Sequence, residues 1–258
     1  MDSGISKWMD QLSGFRPRHW AGNVFRFVYP PVCAGCGRIN GAGRGLCPAC
    51  WKEVAFIERP YCDILGIPFS HDLGAGILSA QAIAEPPVFN RLRAAVVHQG
   101  VARRLVHGLK YKDRTDLAPM MAGWMVRASD GWLSRADGII PVPLHRRRLF
   151  ARKYNQSAEL ARHISTLSGV TLMPLALLRH KNTARQVGLS ISGRTENLRG
   201  AFGVTDEGAG QIFGRRIVLV DDVYTTGATA NAAARALRAA GAADITVLTF
   251  AMALPDTI

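Results

Sequence analysis

Apolar residues along this chain fall into short continuous runs that alternate with stretches of helical period. Residues 92–98 form a run of strand length, 101–111 and 117–128 carry apolar positions at helical spacing, and 138–142 is a second short run that ends in Pro141-Val142-Pro143. Residues 154–167 return to helical spacing. A long polar, arginine-bearing stretch, 180–199, follows. After it comes a tight unit: Ile217-Val218-Leu219-Val220 is fully apolar, Asp221 opens a loop, 229–240 is an alanine-rich helix, and 245–251 closes as another apolar run. Strands are apolar throughout, rather than at alternate positions, when both faces of their sheet are covered. The pattern therefore predicts an α/β fold with a mostly parallel sheet and flanking helices.

The first ninety residues are organised differently. Aromatics are scattered through 5–28 without a clean period, 31–61 is rich in Cys, Gly and Pro, and Glu85-Pro86-Pro87 reads as a linker that stops before a regular segment. The expected organisation is an arm at 1–30, a cysteine module at 31–60, a linker or hood segment at 61–90 and the main domain at 91–258. The pattern shows no internal repeat. No stretch reaches the roughly 18 uninterrupted apolar residues of a membrane span. The start, Met1-Asp2-Ser3-Gly4 followed by Lys7, Asp10, Arg16 and Arg18, lacks the layout of a secretory signal, so the reading places the protein in the cytoplasm.

Charge changes this picture in one respect. Thirty-two Lys and Arg against nineteen Asp and Glu leave a net charge of +13, which calls for a polyanionic partner such as nucleic acid or a phosphorylated metabolite. The excess is concentrated between residues 146 and 199, where Glu159 and Glu196 are the only acids. The alternative is a solvated, solubilising face.

The most informative segment is residues 217–229. It sets Asp221 and Asp222 at the carboxyl end of a strand, where open α/β sheets bind ligands. The loop beyond opens a helix whose first amides have no partners and whose dipole is positive at that end, with Thr225, Thr226 and Thr229 adding hydroxyl donors. Gly227 removes the side chain where backbone approaches ligand or takes a positive φ. Ionised carboxylates accept hydrogen bonds and so suit sugar hydroxyls, and the pair plus the phosphate cradle describes a site for ribose 5-phosphate. The alternative is that the acids and threonines are ordinary helix-start residues and caps. A P-loop is excluded because no Gly-Lys-Ser or Gly-Lys-Thr occurs, and Gly41-Ala42-Gly43-Arg44-Gly45 has the wrong spacing for a dinucleotide fingerprint.

Cys33-x-x-Cys36 and Cys47-x-x-Cys50 offer four thiolates for one tetrahedral zinc, a closed set that makes a structural site rather than a catalytic one. Disulfides and a redox pair are the alternatives, the first disfavoured in a reducing compartment and the second because neither pair opens a helix after an apolar strand. Cys62 is left over and reads as a buried free thiol.

Residues 217–229 resemble the phosphoribosyl pyrophosphate (PRPP) signature of type I phosphoribosyltransferases, and the wider chain resembles the ComF/GntX family. The supporting stretches are His107-Gly108-Leu109-Lys110-Tyr111-Lys112, Pro141-Val142-Pro143-Leu144 with Arg148, Arg152-Lys153-Tyr154-Asn155-Gln156-Ser157, Gln186 to Leu189, and Arg194 with Asn197 to Phe202. The resemblance implies that Asp221 and Asp222 hold ribose hydroxyls as the catalytic pair. It implies that Val223, Tyr224, Thr225, Thr226, Gly227, Ala228 and Thr229 form the phosphate loop. Pro143, Leu144, His145 and Arg148 would lie by the pyrophosphate, and Arg194 and Arg199 would sit in a hood that closes over it. Mg²⁺ would accompany PRPP, and zinc would sit on Cys33, Cys36, Cys47 and Cys50. Relatives can carry a further cysteine pair that begins at the place of Cys62, but here Leu65 occupies the second position. Tyr154 stands where many relatives have phenylalanine.

Two functions follow from these expectations. One is transfer of a phosphoribosyl group with release of pyrophosphate, linked in ComF proteins to uptake of transforming DNA and in GntX relatives to gluconate utilisation. The other is a non-catalytic accessory protein that engages single-stranded DNA or a DNA-uptake helicase through the zinc ribbon and basic face.

Overall fold

A computed structural model describes residues 30–40, 45–72, 74–181 and 200–254. The chain divides into two compact units, residues 1–51 and 52–258. In the first, the two cysteine pairs frame a tight turn and the start of a short helix, α1 (Pro48–Lys52).

The second unit contains α2 (Ala80–Ala84), β1 (Arg91–Val97), α3 (Gly100–Tyr111), α4 (Ala118–Ala128), β2 (Gly138–Pro141), α5 (Arg146–Arg152), α6 (Gln156–Ser168), β3 (Leu177–Arg179), β4 (Phe202–Val204), α7 (Asp206–Ile212), β5 (Arg216–Tyr224), α8 (Ala228–Ala239) and β6 (Asp244–Met252). Four strands make one sheet in the order β1-β6-β5-β2, and every neighbouring pair is parallel. The predicted fold class is what the chain adopts. Helices α4 and α6 pack on each other and on the sheet, while α8 packs on β5 and β6. Val101, Leu105, Leu109, Met121, Met125, Leu160, Ile164 and Phe250 are fully buried between these layers. Ala230, Ala233 and Ala234 make the buried stripe of α8, so small side chains let this helix lie close to the strands.

Both outer strands are paired by passing chain. Phe56 bridges antiparallel to Val96, with Ile57 N donating to Ala95 O at 3.0 Å and Val97 N to Ala55 O at 2.8 Å. On the opposite edge Leu172 bridges parallel to Ile139, whose N donates to Thr171 O at 2.8 Å.

Two expectations are corrected. The apolar run 217–220 does not give way to a loop at Asp221: β5 continues to Tyr224, with Asp221 opposite Thr249 and Tyr224 opposite Met252 on β6. The partner strand is long enough to keep pairing, and the sheet therefore carries the acids itself. The second correction concerns the absence of an internal repeat. Gly37 N donates to Cys33 O at 2.9 Å and Cys33 N to Arg38 O at 2.7 Å; 29 residues on, Gly66 N donates to Cys62 O and Cys62 N to Ile67 O, both at 2.8 Å. Ala34 N reaches Gly45 O at 2.8 Å as Asp63 N reaches Ile77 O at 3.3 Å, and Trp51 N reaches Cys47 O at 2.9 Å as Ile83 N reaches Ser79 O at 3.2 Å. The described residues of 31–51 and 60–83 thus share one pattern of backbone hydrogen bonds. Only Pro, Cys and Gly coincide between 31–40 and 60–69, too little for a repeat to show in the sequence.

Candidate functional site

The acid pair sits at the carboxyl end of β5, where two helices reach it. Lys110, in the last turn of α3, places Nζ 2.8 Å from Asp222 Oδ2. Asp222 is only 6% exposed, and a carboxylate that deep requires a partner. Burial alone would lower the Lys110 pKa, but the charge and hydrogen bond of Asp222 outweigh it and the ammonium is held above its ordinary value. From the other side Ser157 Oγ donates to Asp221 Oδ1 at 2.9 Å, and Asp222 N donates to the same oxygen at 2.9 Å. Burial, reinforced by the charge of Asp222, pushes the Asp221 carboxyl up to about 7 against the pull of Lys110 and these hydrogen bonds.

Ser157 is placed by a cap. Asn155 Oδ1 accepts from Ser157 N at 3.1 Å and its Nδ2 donates to Val142 O at 3.0 Å, which ties the start of α6 to the end of β2. The cap also explains why this helix begins at Gln156 rather than at 154. Arg152 donates to Gln156 Oε1 at 3.1 Å and lies over the Tyr111 ring, 5.2 Å from its centroid. Polar side chains of α3, the segment after β2 and α6 therefore converge on the end of β5.

Beyond Tyr224 the chain turns through Thr225, exposed, and Thr226, half-buried, to Gly227. Gly227 has φ +76° and N-caps α8 with no side-chain cap bond. A Cβ here would collide with the Tyr224 ring and hydroxyl, so both conformation and space demand glycine. Ala228 opens α8, and Thr229 is half-buried in its first turn. An uncapped first turn presents its amides and positive dipole end to an anion. Val223 is half-buried and Tyr224 buried, the latter packed edge-on against Phe89 at 6.4 Å.

After β2, Pro143, Leu144 and His145 are half-buried, and His145 Nδ1 caps α5 by accepting from Arg147 N at 3.3 Å. Burial, helped by the charge of nearby Arg148 and opposed by Asp221, lowers the Arg179 pKa to about 10. Arg148 and Arg179 thus belong to the same electrostatic neighbourhood as the acid pair. Arg194 and Arg199, with the rest of 182–199, lie outside the described residues.

In the first unit the four sulfurs of Cys33, Cys36, Cys47 and Cys50 lie within 4.8 Å of one another, and Cys36 Sγ is 3.8 Å from Cys47 Sγ. A tetrahedron with Zn–S bonds of about 2.3 Å has sulfur–sulfur edges of roughly 3.8 Å. Backbone amides of Gly35 and Cys47 point at Cys33 Sγ, at 3.4 and 3.2 Å. The set fits one structural zinc.

Residues 24–82 match the double zinc ribbon domain. The DNA utilization protein YhgH of Escherichia coli O157:H7 is 30% identical over 225 residues, covering 84% of this chain and 95% of that protein. The chain belongs to the ComF family. Another member, competence protein F of Haemophilus influenzae strain Rd, is 28% identical over 231 residues and covers 87% of this chain and 96% of its own length. Among solved structures, an allosteric regulatory enzyme of purine biosynthesis superposes with a TM-score of 0.37 at 20% identity, over 56% of this chain and 30% of that one. The ComF relationship spans both the ribbon and the sheet domain. Sequence reasoning did not assign Lys110 or Ser157 a place in the site. Each lies in a stretch that carries the family resemblance, but only the fold shows which atom each one meets.

Proposed function

We propose that this protein binds PRPP at the carboxyl edge of its parallel sheet and transfers the phosphoribosyl group to an acceptor, releasing pyrophosphate, in the service of DNA uptake or use. The observation that carries the reading is the pairing of two anchored carboxylates with the uncapped start of α8 directly after them. Asp221 and Asp222 accept from the ribose hydroxyls, and the amides and hydroxyls of residues 225–229 take the 5′-phosphate. In the transfer, the bond from the anomeric carbon to the pyrophosphate oxygen breaks as the acceptor's lone pair forms the new one. The sugar passes through an oxocarbenium-like state, so the protein's work is positioning and charge stabilisation. Arg148 and Arg179 offer positive charge to the departing pyrophosphate. A carboxylate pair beside sugar hydroxyls is a fitting set of hard oxygen donors for Mg²⁺, directly or through the substrate, and the ion would supply further charge neutralisation on the leaving group. The DNA link rests on the names of the relatives, DNA utilization protein and competence protein.

Calorimetric titration with PRPP, with and without Mg²⁺, tests this beside Asp221→Asn/Asp222→Asn. The expected result is Mg²⁺-dependent binding that disappears in the double variant. A folded wild-type protein that binds no PRPP would overturn the proposal.

A second reading has one specific support. Helix α5 exposes Arg146 and Arg147 together with Phe150, 91% exposed, and Leu149, 41% exposed. A basic face with an exposed aromatic suits single-stranded DNA or a helicase partner. DNA binding of this kind would weaken roughly tenfold or more between 50 and 200 mM salt.

A further inference from the structure

The backbone repeat allows the four metal positions of the first lobe to be located in the second. Cys33 and Cys36 correspond, 29 residues on, to Cys62 and Leu65. Cys47 and Cys50 correspond, 32 residues on, to Ser79 and Ala82, the difference being three extra residues in the intervening loop. The assignment does not rest on numbering alone. Cys47 N donates to Cys33 Sγ at 3.2 Å, and Ser79 N donates to Cys62 Sγ at 3.2 Å. The first sulfur of each lobe also accepts from its own turn, Gly35 N at 3.4 Å in one and Leu65 N at 3.4 Å in the other. The knuckle glycines match in conformation, with φ +74° at Gly37 and +62° at Gly66. Each lobe has an isolated antiparallel bridge across its turn, Val32 with Ile39 and Tyr61 with Pro68. Each leads into a short helix one residue after the third position, at Pro48 and at Ala80.

We infer that the second lobe of this double ribbon is a metal-free copy, in which Cys62, Leu65, Ser79 and Ala82 occupy the four ligand positions and an apolar plug replaces the ion. Leu65 and Ala82 have no donor atom, and both are 2% exposed; Cys62 is fully buried. Ser79 has an alcohol where a thiolate is needed, and its Oγ already accepts from Ala82 N at 3.3 Å as the N-cap of α2. Zinc demands four good N, S or carboxylate ligands in a structural site, and this set offers one. The second lobe takes its support from the sheet instead. Leu92 N donates to Ile64 O at 2.6 Å, Arg93 Nη1 donates to Asp63 O at 3.0 Å, and a Cβ on Gly66 would stand 2.7 Å from Leu92 O. Cys62, Leu65 and Ala82 join one hydrophobic cluster with Phe89 and Leu92. The family expectation of a double zinc ribbon is thus met in backbone but not in metal: the chain holds one zinc, not two.

The experiment is metal stoichiometry by plasma mass spectrometry on the full chain, desalted into metal-free buffer after purification with zinc present. One zinc per chain is expected for the wild type and for Cys62→Ala, and two for the Leu65→Cys/Ser79→Cys/Ala82→Cys variant, whose Co²⁺ form should show about twice the thiolate charge-transfer absorption of the wild type. Two zinc ions in the wild type would overturn the inference, as would loss of an ion in Cys62→Ala. A triple variant with native circular dichroism that still holds one zinc would also overturn it, by showing that these four positions do not converge. The wild-type ratio decides the matter even where the triple variant does not fold.

Discussion

Asp221 is raised on folding, and this has a consequence for pH. Its ordinary value is 3.8, and burial with the neighbouring Asp222 takes it to about 7. A carboxyl raised in the folded state contributes stability fully below its unfolded pKa and loses that contribution as the pH climbs through the folded one. Asp221→Asn cannot titrate, so the stability of wild type relative to this variant should be greatest near pH 4, decline toward pH 7 and level off above it. Paired urea midpoints from pH 4 to 8.5 check this, and a difference that does not vary with pH would contradict it. The same residue shows what sequence can and cannot reveal. The acids and the threonine loop are contiguous, and their types state their chemistry. Lys110 and Ser157 meet those acids from distant parts of the chain, and no local pattern in a helix says which of its polar side chains will find a partner across the fold.

At the scale of elements, the strands and helices of the sheet domain were legible because each carries one clean period, and β1, β2, β6, α3 and α4 begin and end within about two residues of the expected places. Short elements were not legible. Helices α5 and α7 have seven residues each and strands β3 and β4 three each, lengths at which a period cannot establish itself. The extension of β5 through the acids was missed because charged residues are read as loop, whereas pairing with β6 carries them. The turn into α8 yields a direct test. Gly227→Ala puts a side chain at φ +76° and against Tyr224, and should cost about 1–2 kcal/mol of stability. That corresponds to a melting temperature lower by roughly 2–8 °C for a domain of this size. Calorimetry on both proteins measures it; under the proposed function the same variant should also bind PRPP more weakly, because the turn aims the amides of the first helical turn. An unchanged melting temperature would mean that the turn is not strained by a side chain.

At the scale of the whole molecule, the two compact units differ in what holds them. The four cysteines of the first surround a volume suited to one ion, and a small lobe of that kind takes its folding energy from the metal. Chelation should therefore raise amide hydrogen exchange across residues 33–51 while leaving β5 and β6 protected, as followed by mass spectrometry. Loss of protection in both strands would show that the sheet domain depends on the ion as well. The repeat between the two lobes escaped sequence reading because only three of ten residues coincide across the matching turns, and the metal ligands that would have advertised it are absent from the second. The two chain segments laid along the outer strands have a further effect. With residues 55–57 along one border and 171–173 along the other, the sheet has no bare rim at Val96 or Ile139 for a foreign strand to extend. Protein partners at those borders must be recognised by side-chain relief and charge rather than by backbone templating. A fragment begun at residue 91 would strip one border and leave the outer backbone groups of β1 open to pairing with a second strand.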